Sequence, residues 1–239
     1  MFAAKKALGA RRSVRLPRVA VLALLLMGMS APTALAGDYH GIVVLDGSSF
    51  QGASGNDRVN NIGINYSSDF LNNEIWVFNT GATTWEEAGI NKGLGGSGCP
   101  TLSYPNFFWA DGRPPYGPNN YHCHTNGTQA SLNTYYGISI KYNGSANWWL
   151  NAGGYTGTST SAQTSANELQ AGMEDTNQSI LSCGSMSSLA YIDGNGNPVS
   201  GWQDASNGQA VVSPYNSNPP YAAWVNQPTW ERSYANESC

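Results

Sequence analysis

YGISIKYNGSANWWLNAG, residues 136–153, alternates where a helix would repeat every three to four residues. Ile138, Ile140 and Tyr142 share one side of an extended chain while Ser139 and Lys141 take the other, the period of two that a half-buried strand shows. NGSAN then supplies turn residues, and NWWLNAG returns as a second strand in which Trp148 and Trp149 face opposite sides. The same pattern extends outward. GIVVL (41–45), NIGINY (61–66) and EIWVFN (74–79) are short β-rich runs set between Gly, Asn and Ser. IDGNGNPVSGW (192–202) carries the Asn-Gly punctuation of a hairpin. TSANELQAGMEDTN (164–177) is the one candidate helix, but its apolar spacing is poor and it reads as strand around Leu169. Many short strands and frequent turns predict an all-β fold: an antiparallel β-sandwich of two packed sheets with long connecting loops.

The first 36 residues stand apart. A basic run from Lys5 to Arg18 precedes the apolar core VAVLALLLMGM, and Ala34-Leu35-Ala36 offers a small-residue cleavage site. This reads as a signal peptide over 1–36, with a single domain over 37–239 that is secreted to the extracellular space. Arg11-Arg12 hints at twin-arginine export, although the residues that follow favour general secretion. The apolar run is too short to span a bilayer, so no membrane anchor is expected. Six of the 11 Lys+Arg lie in this segment and all 15 Asp+Glu lie beyond it, leaving five bases against 15 acids, a formal charge of −10. Such a surface offers no footprint for nucleic acid. About 200 residues suit one well-cored domain, expected as a monomer. Four cysteines in an exported chain predict two disulfides; of three possible connectivities, Cys99–Cys123 and Cys183–Cys239 are favoured.

Few residues are equipped for chemistry. There is no Gly-x-Ser-x-Gly elbow and no phosphate-binding glycine motif. His122 and His124 flank Cys123, but no third ligand sits at a suggestive spacing, so they read as loop histidines and neither metal nor cofactor is expected. Carboxylates remain. Glu74, Glu231 and Glu237 read as solvated. WEEAGI and LQAGMED instead place Glu86, Glu87 and Glu174 in otherwise uncharged, strand-like surroundings. An acid held on an apolar strand face has a raised pKa and can act as a general acid, while a second, ionised one serves as base.

The run from EIWVFNTGATTWEEAGINKG through YPNFFWADG and NNYHCHTNG to YGISIKYNGSANWWLNAG resembles the neprosin family of glutamic endopeptidases. The matching residues are Ile75-Trp76-Val77, Glu87-Ala88-Gly89, Trp109, Cys123 and Asn147-Trp148-Trp149-Leu150. The family's second glutamate follows Trp-Gly-Gly; here Ala171-Gly172-Met173-Glu174 keeps one Gly and the Glu and loses the Trp. The resemblance implies a secreted, acid-active peptidase in which Glu87 and Glu174 work on a water molecule, with Glu168 the competitor for the second role. Glu86, adjacent in the strand, then faces the other way. Trp109, Tyr116, Trp148 and Trp149 have two readings: they line the cleft and grip a peptide or protein substrate, for which Trp109, Tyr116 and Trp148 are the candidates, or, as strand tryptophans usually do, they fill the core. Cleavage after proline is the preference of the family's plant namesake. The competing class is a secreted carbohydrate-binding or carbohydrate-active β-sandwich, for which a carboxylate pair would serve equally well. An inactive member of the same family is a third reading.

Overall fold

The computed structural model describes residues 39–235 except Tyr66, 80–83, 96–97, 114–119, Ala146, 161–163, 176–181, Gly201, 203–220 and 228–229. Among the described residues there are fourteen strands and no α-helix. One sheet runs, in spatial order, β1 (Tyr39–Phe50), β10 (Ala166–Asp175), β3 (Phe70–Asn79), β4 (Thr84–Gly93), β5 (Leu102–Gly112) and β6 (Tyr121–Gln129). The other runs β13 (Tyr221–Gln227), β14 (Trp230–Ala235), β11 (Ser182–Ile192), β2 (Gly52–Ile62), β7 (Tyr136–Gly144), β8 (Asn147–Ala152) and β9 (Tyr155–Ser159), with β12 (Pro198–Ser200) paired to β11. Neighbouring strands are antiparallel throughout. The two sheets pack face to face, as the sequence pattern predicts.

The β7–β8 hairpin folds as it reads. Ile138, Ile140, Trp148 and Leu150 are buried between the sheets, and Lys141 and Trp149 point to solvent. The candidate helix is β10, a strand inserted between β1 and β3 with Leu169, Ala171 and Met173 in the core. Asp193 closes the β11–β12 hairpin by accepting the backbone N–H groups of Asn195 and Asn197 on one carboxylate oxygen.

One element differs from expectation. Strand β2 ends at Ile62, so most of NIGINY lies beyond it, and its body is the polar GASGNDRVNNI. It qualifies as a strand because Ala53, Gly55, Asp57 and Val59 alternate inward. Asp57 there accepts a 2.5 Å hydrogen bond from the Asn73 amide of β3, tying one sheet to the other through a buried polar contact. The facing sheets share one large apolar core containing Leu71, Ile75, Val77, Ile90, Trp109, Ile138, Trp148, Leu169 and Met186. The opposite face of the six-stranded sheet carries its own cluster of Trp76, Phe78, Trp85, Phe108, Tyr121 and Cys123.

Candidate active site

Register places three glutamates on successive rows of that second face. Trp76 of β3 pairs with Glu87 of β4, Glu74 pairs with Gly89 on one side and Gly172 on the other, and Asn72 pairs with Glu174 of β10. Glu87, Glu74 and Glu174 therefore form a diagonal across three adjacent strands. Successive diagonal neighbours in an antiparallel sheet lie roughly 7–8 Å apart at Cα, and long side chains close that gap. Their exposures are 1%, 0% and 6%.

Each carboxyl has a distinct setting. Glu87 sits among aromatic rings: the Tyr121 hydroxyl donates to its Oε1 at 2.5 Å and the Trp85 indole N–H donates to its Oε2 at 3.0 Å. Tyr121 reaches it from β6 across Ala110, and Trp85 lies over Gly112, where a Cβ would stand 2.1 Å from the ring. Burial pushes Glu87 up to about 8, further raised by the negative charge of Glu174, while hydrogen bonds from Tyr121, Trp85 and Trp76 pull the other way. Glu74 is raised well above its usual value, first by burial, then by the charges of Glu87 and Glu174. Neither of its oxygens makes a hydrogen bond of good geometry, and the nearby Asn72 amide offsets the rise only in part.

Glu174 heads a polar row instead. Asn72, Asn91 and Asn106 follow it across β3, β4 and β5. The Asn91 amide donates to Asn72 Oδ1 at 2.7 Å, the Asn106 amide donates to the Asn91 carbonyl at 2.8 Å, and Thr125 Oγ1 donates to Asn106 Oδ1 at 2.8 Å. One carboxyl in an aromatic enclosure and another on an amide ladder are environments that separate an acid from a base.

Solved structures share this architecture. A crystal structure of scytalido-glutamic peptidase with a transition state analog inhibitor matches with a TM-score of 0.54 at 15% identity, covering 82% of this chain and 98% of that one. A second, with a peptide based transition state analog, matches at 0.51 and 16% over the same shares. The chain shares the fold of these two structures. SCP-B, a member of the Eqolisin family of peptidases in complex with the tripeptide Ala-Ile-His, scores 0.48 at 15% identity. No protein-family model and no curated protein matches the sequence.

Within this fold, the structure brings Glu87 and Glu174 to one face but corrects several neighbours. Trp109 and Trp148 do not line that face. Both pack in the core between the sheets, Trp148 with no exposed surface, because strand parity turns them inward; the outward residue of the pair is Trp149, 38% exposed. The rings around Glu87 are Trp76, Trp85 and Phe108 instead. Tyr116 lies outside the described residues. Glu74, read as solvated at a strand start, is mid-strand because β3 begins at Phe70. Its shared parity with Trp76 and Glu87's row was the signal to follow. Glu86 faces away from Glu87 as expected but is buried, accepting the Ser159 hydroxyl of β9 at 3.1 Å across the sandwich. Glu168 lies at the other end of the same face, its carboxylate accepting the Gln170 amide, two rows from Glu74's own.

The remaining sequence candidates serve structure. Cys99 and Cys123 form a disulfide. Cys183 is also disulfide-bonded, and its expected partner Cys239 lies outside the described residues. His124 stacks on Trp109 at 3.8 Å, and its pKa is lowered chiefly by burial. No group of three or more His, Cys, Asp or Glu able to hold a metal occurs among the described residues.

Proposed function

We propose that the protein is a secreted glutamic endopeptidase, akin to the neprosin family, that hydrolyses peptide bonds with Glu87 and Glu174 and without a covalent intermediate. The observation that carries this reading is the pair of contrasting carboxyl settings on one sheet face: Glu87 enclosed by aromatic rings and gripped by Tyr121 and Trp85, Glu174 on the asparagine row. The names of the structural neighbours support the same chemistry.

In this mechanism Glu174 takes a proton from water as the oxygen attacks the scissile carbonyl. Glu87, protonated, hydrogen-bonds to the developing oxyanion and passes its proton to the leaving amine as the C–N bond breaks. Glu87 must hold its proton, so activity is expected through acid and neutral pH and to fall as pH rises through about 8. All three carboxyls are nearly shielded in this state, so peptide entry requires the face to open.

The test is protein collected from the medium of an expressing culture, incubated with a mixed peptide library across a pH series and read by mass spectrometry. Cleavage is expected, with kcat reduced by roughly 10²-fold or more in Glu87→Gln and in Glu174→Gln. The products report whether proline is preferred before the cut. Folded wild-type protein that cleaves nothing at any pH would remove the reading. Loss in Glu168→Gln but not in Glu174→Gln would move the second role to Glu168.

A further inference from the structure

We propose that Glu74 is the proton-carrying link between Glu87 and Glu174, returning the site to its starting protonation state after each turnover. The inference rests on the reading of those two residues as the catalytic pair.

Register is the first argument. Glu87 and Glu174 meet β3 at Trp76 and Asn72, four residues apart on a strand that separates them laterally. Four residues of strand span roughly 13 Å along the backbone. Glu74 stands midway, one diagonal step from each. Its lateral neighbours are both glycines, Gly89 and Gly172, so neither adjacent strand places a side chain directly beside it. At Gly89 the close approach is obligatory: a Cβ there would lie 2.5 Å from Glu74 Cβ and 2.2 Å from the Asn73 carbonyl oxygen.

Glu74's own state is the second. It has no exposed surface and neither oxygen has a partner of good geometry, an unfavourable arrangement that an apolar residue would avoid. The ionisable groups acting on it are Glu87 from β4, Glu174 from β10 and Asp57 from β2, all acids; Tyr121 from β6 is raised in turn by Glu87 and Glu74. Such a carboxyl keeps a proton it can exchange.

The step balances. After cleavage Glu174 holds the proton taken from water and Glu87 has given its own to the amine. Glu174 passes its proton to one oxygen of Glu74, while the other oxygen of Glu74 releases its proton to Glu87. One O–H bond forms on Glu74 as another breaks, no electrons change hands, and the cycle ends with Glu174 ionised and the other two protonated.

Glu74→Gln, Glu74→Asp and wild type distinguish a carrier from a spacer. A carrier requires a carboxyl, so Gln is expected to lower kcat about tenfold or more with KM within about twofold, and Asp to recover part of the loss. A spacer predicts the reverse order, because Gln is isosteric and Asp is short. Wild-type kcat and pH profile in the Gln variant would overturn the proposal. Infrared spectroscopy supplies a readout independent of turnover. At about pH 6 the folded protein should show protonated-carboxyl bands from both Glu74 and Glu87; the Glu74 component is lost in Glu74→Gln and titrates at lower pH in Glu87→Gln and Glu174→Gln, each of which removes a charge that raises it. A band that neither substitution moves would also overturn it. Wild-type protein without peptidase activity removes the catalytic pair, not this coupling, which the infrared arm decides separately.

Discussion

Replacing Tyr121 by phenylalanine removes one oxygen and reports how Glu87 is held. The hydroxyl donates to Glu87 and so favours the ionised form; without it the Glu87 pKa moves above about 8, and the alkaline limb of the kcat/KM profile should shift upward. A limb that moves down or stays in place would show that Glu87 does not set it. Tyr121 itself does not compete for the titration, since burial and the charge of Glu87 raise it further from the working range. Gly89 is the other informative position. Alanine there meets the backbone oxygen of Asn73 at 2.2 Å, which cannot swing aside as a side chain can. The expected cost is about 2–3 kcal/mol, or a fall in Tm of roughly 4–12 °C. The glycine in Glu-Ala-Gly was visible in the sequence; that it makes room for Glu74 was not, because its partner lies on another strand.

Adjacent tryptophans on β8 show how far an element can be read from its pattern. Alternation alone says that Trp148 and Trp149 face opposite ways. It does not say which way is in, and the choice of Trp148 as a substrate contact fell on the buried one. Trp148→Ala should cost about 3–5 kcal/mol by opening a cavity in the inter-sheet core, whereas Trp149→Ala should cost under about 1 kcal/mol. Thermal melts of the two variants measure this directly, and equal losses would contradict the assignment. Strand β2 marks the opposite limit. Its inward positions are Ala53, Gly55, Asp57 and Val59, too small and too polar to announce a core strand. Gly55 is accepted because Leu189 comes within 3.0 Å of where a Cβ would stand, and Asp57 because Asn73 bonds to it from the facing sheet. Both reasons are tertiary.

Over the whole molecule, the buried acids should tilt stability towards low pH. Glu87 has a usual pKa of 4.5 and a folded value of about 8. Below about 4.5 both states hold the proton and its contribution is fully present. Between 4.5 and 8 only the folded state holds it, so stability falls as pH rises, by about 1.4 kcal/mol per pH unit for one group. Glu74 is raised in the same sense, by burial first, and adds to the fall. Denaturant unfolding at a series of pH values should give a lower midpoint at pH 8 than at pH 5. The slope should flatten in Glu87→Gln. A midpoint that rises with pH over this range would show that these carboxyls are ionised in the native protein.

The β-sandwich, the strand identity of the 164–177 segment and the placing of Glu87 and Glu174 on strands are written in local features: the period of two, the turn residues and the scarcity of charge. These act between residues close in the chain, so a single sequence carries them. Which rows meet is a different matter. The Glu87–Glu74–Glu174 diagonal, the Asn72–Asn91–Asn106 row and the reach of Tyr121 to Glu87 depend on the register of paired residues from 11 (Trp76 and Glu87) to 102 (Asn72 and Glu174) positions apart. A shift of one residue would turn each of these side chains to the other face. Only the folded sheet, pairing its strands and closing two cores around them, decides which carboxyls share an environment and which of them keeps its proton.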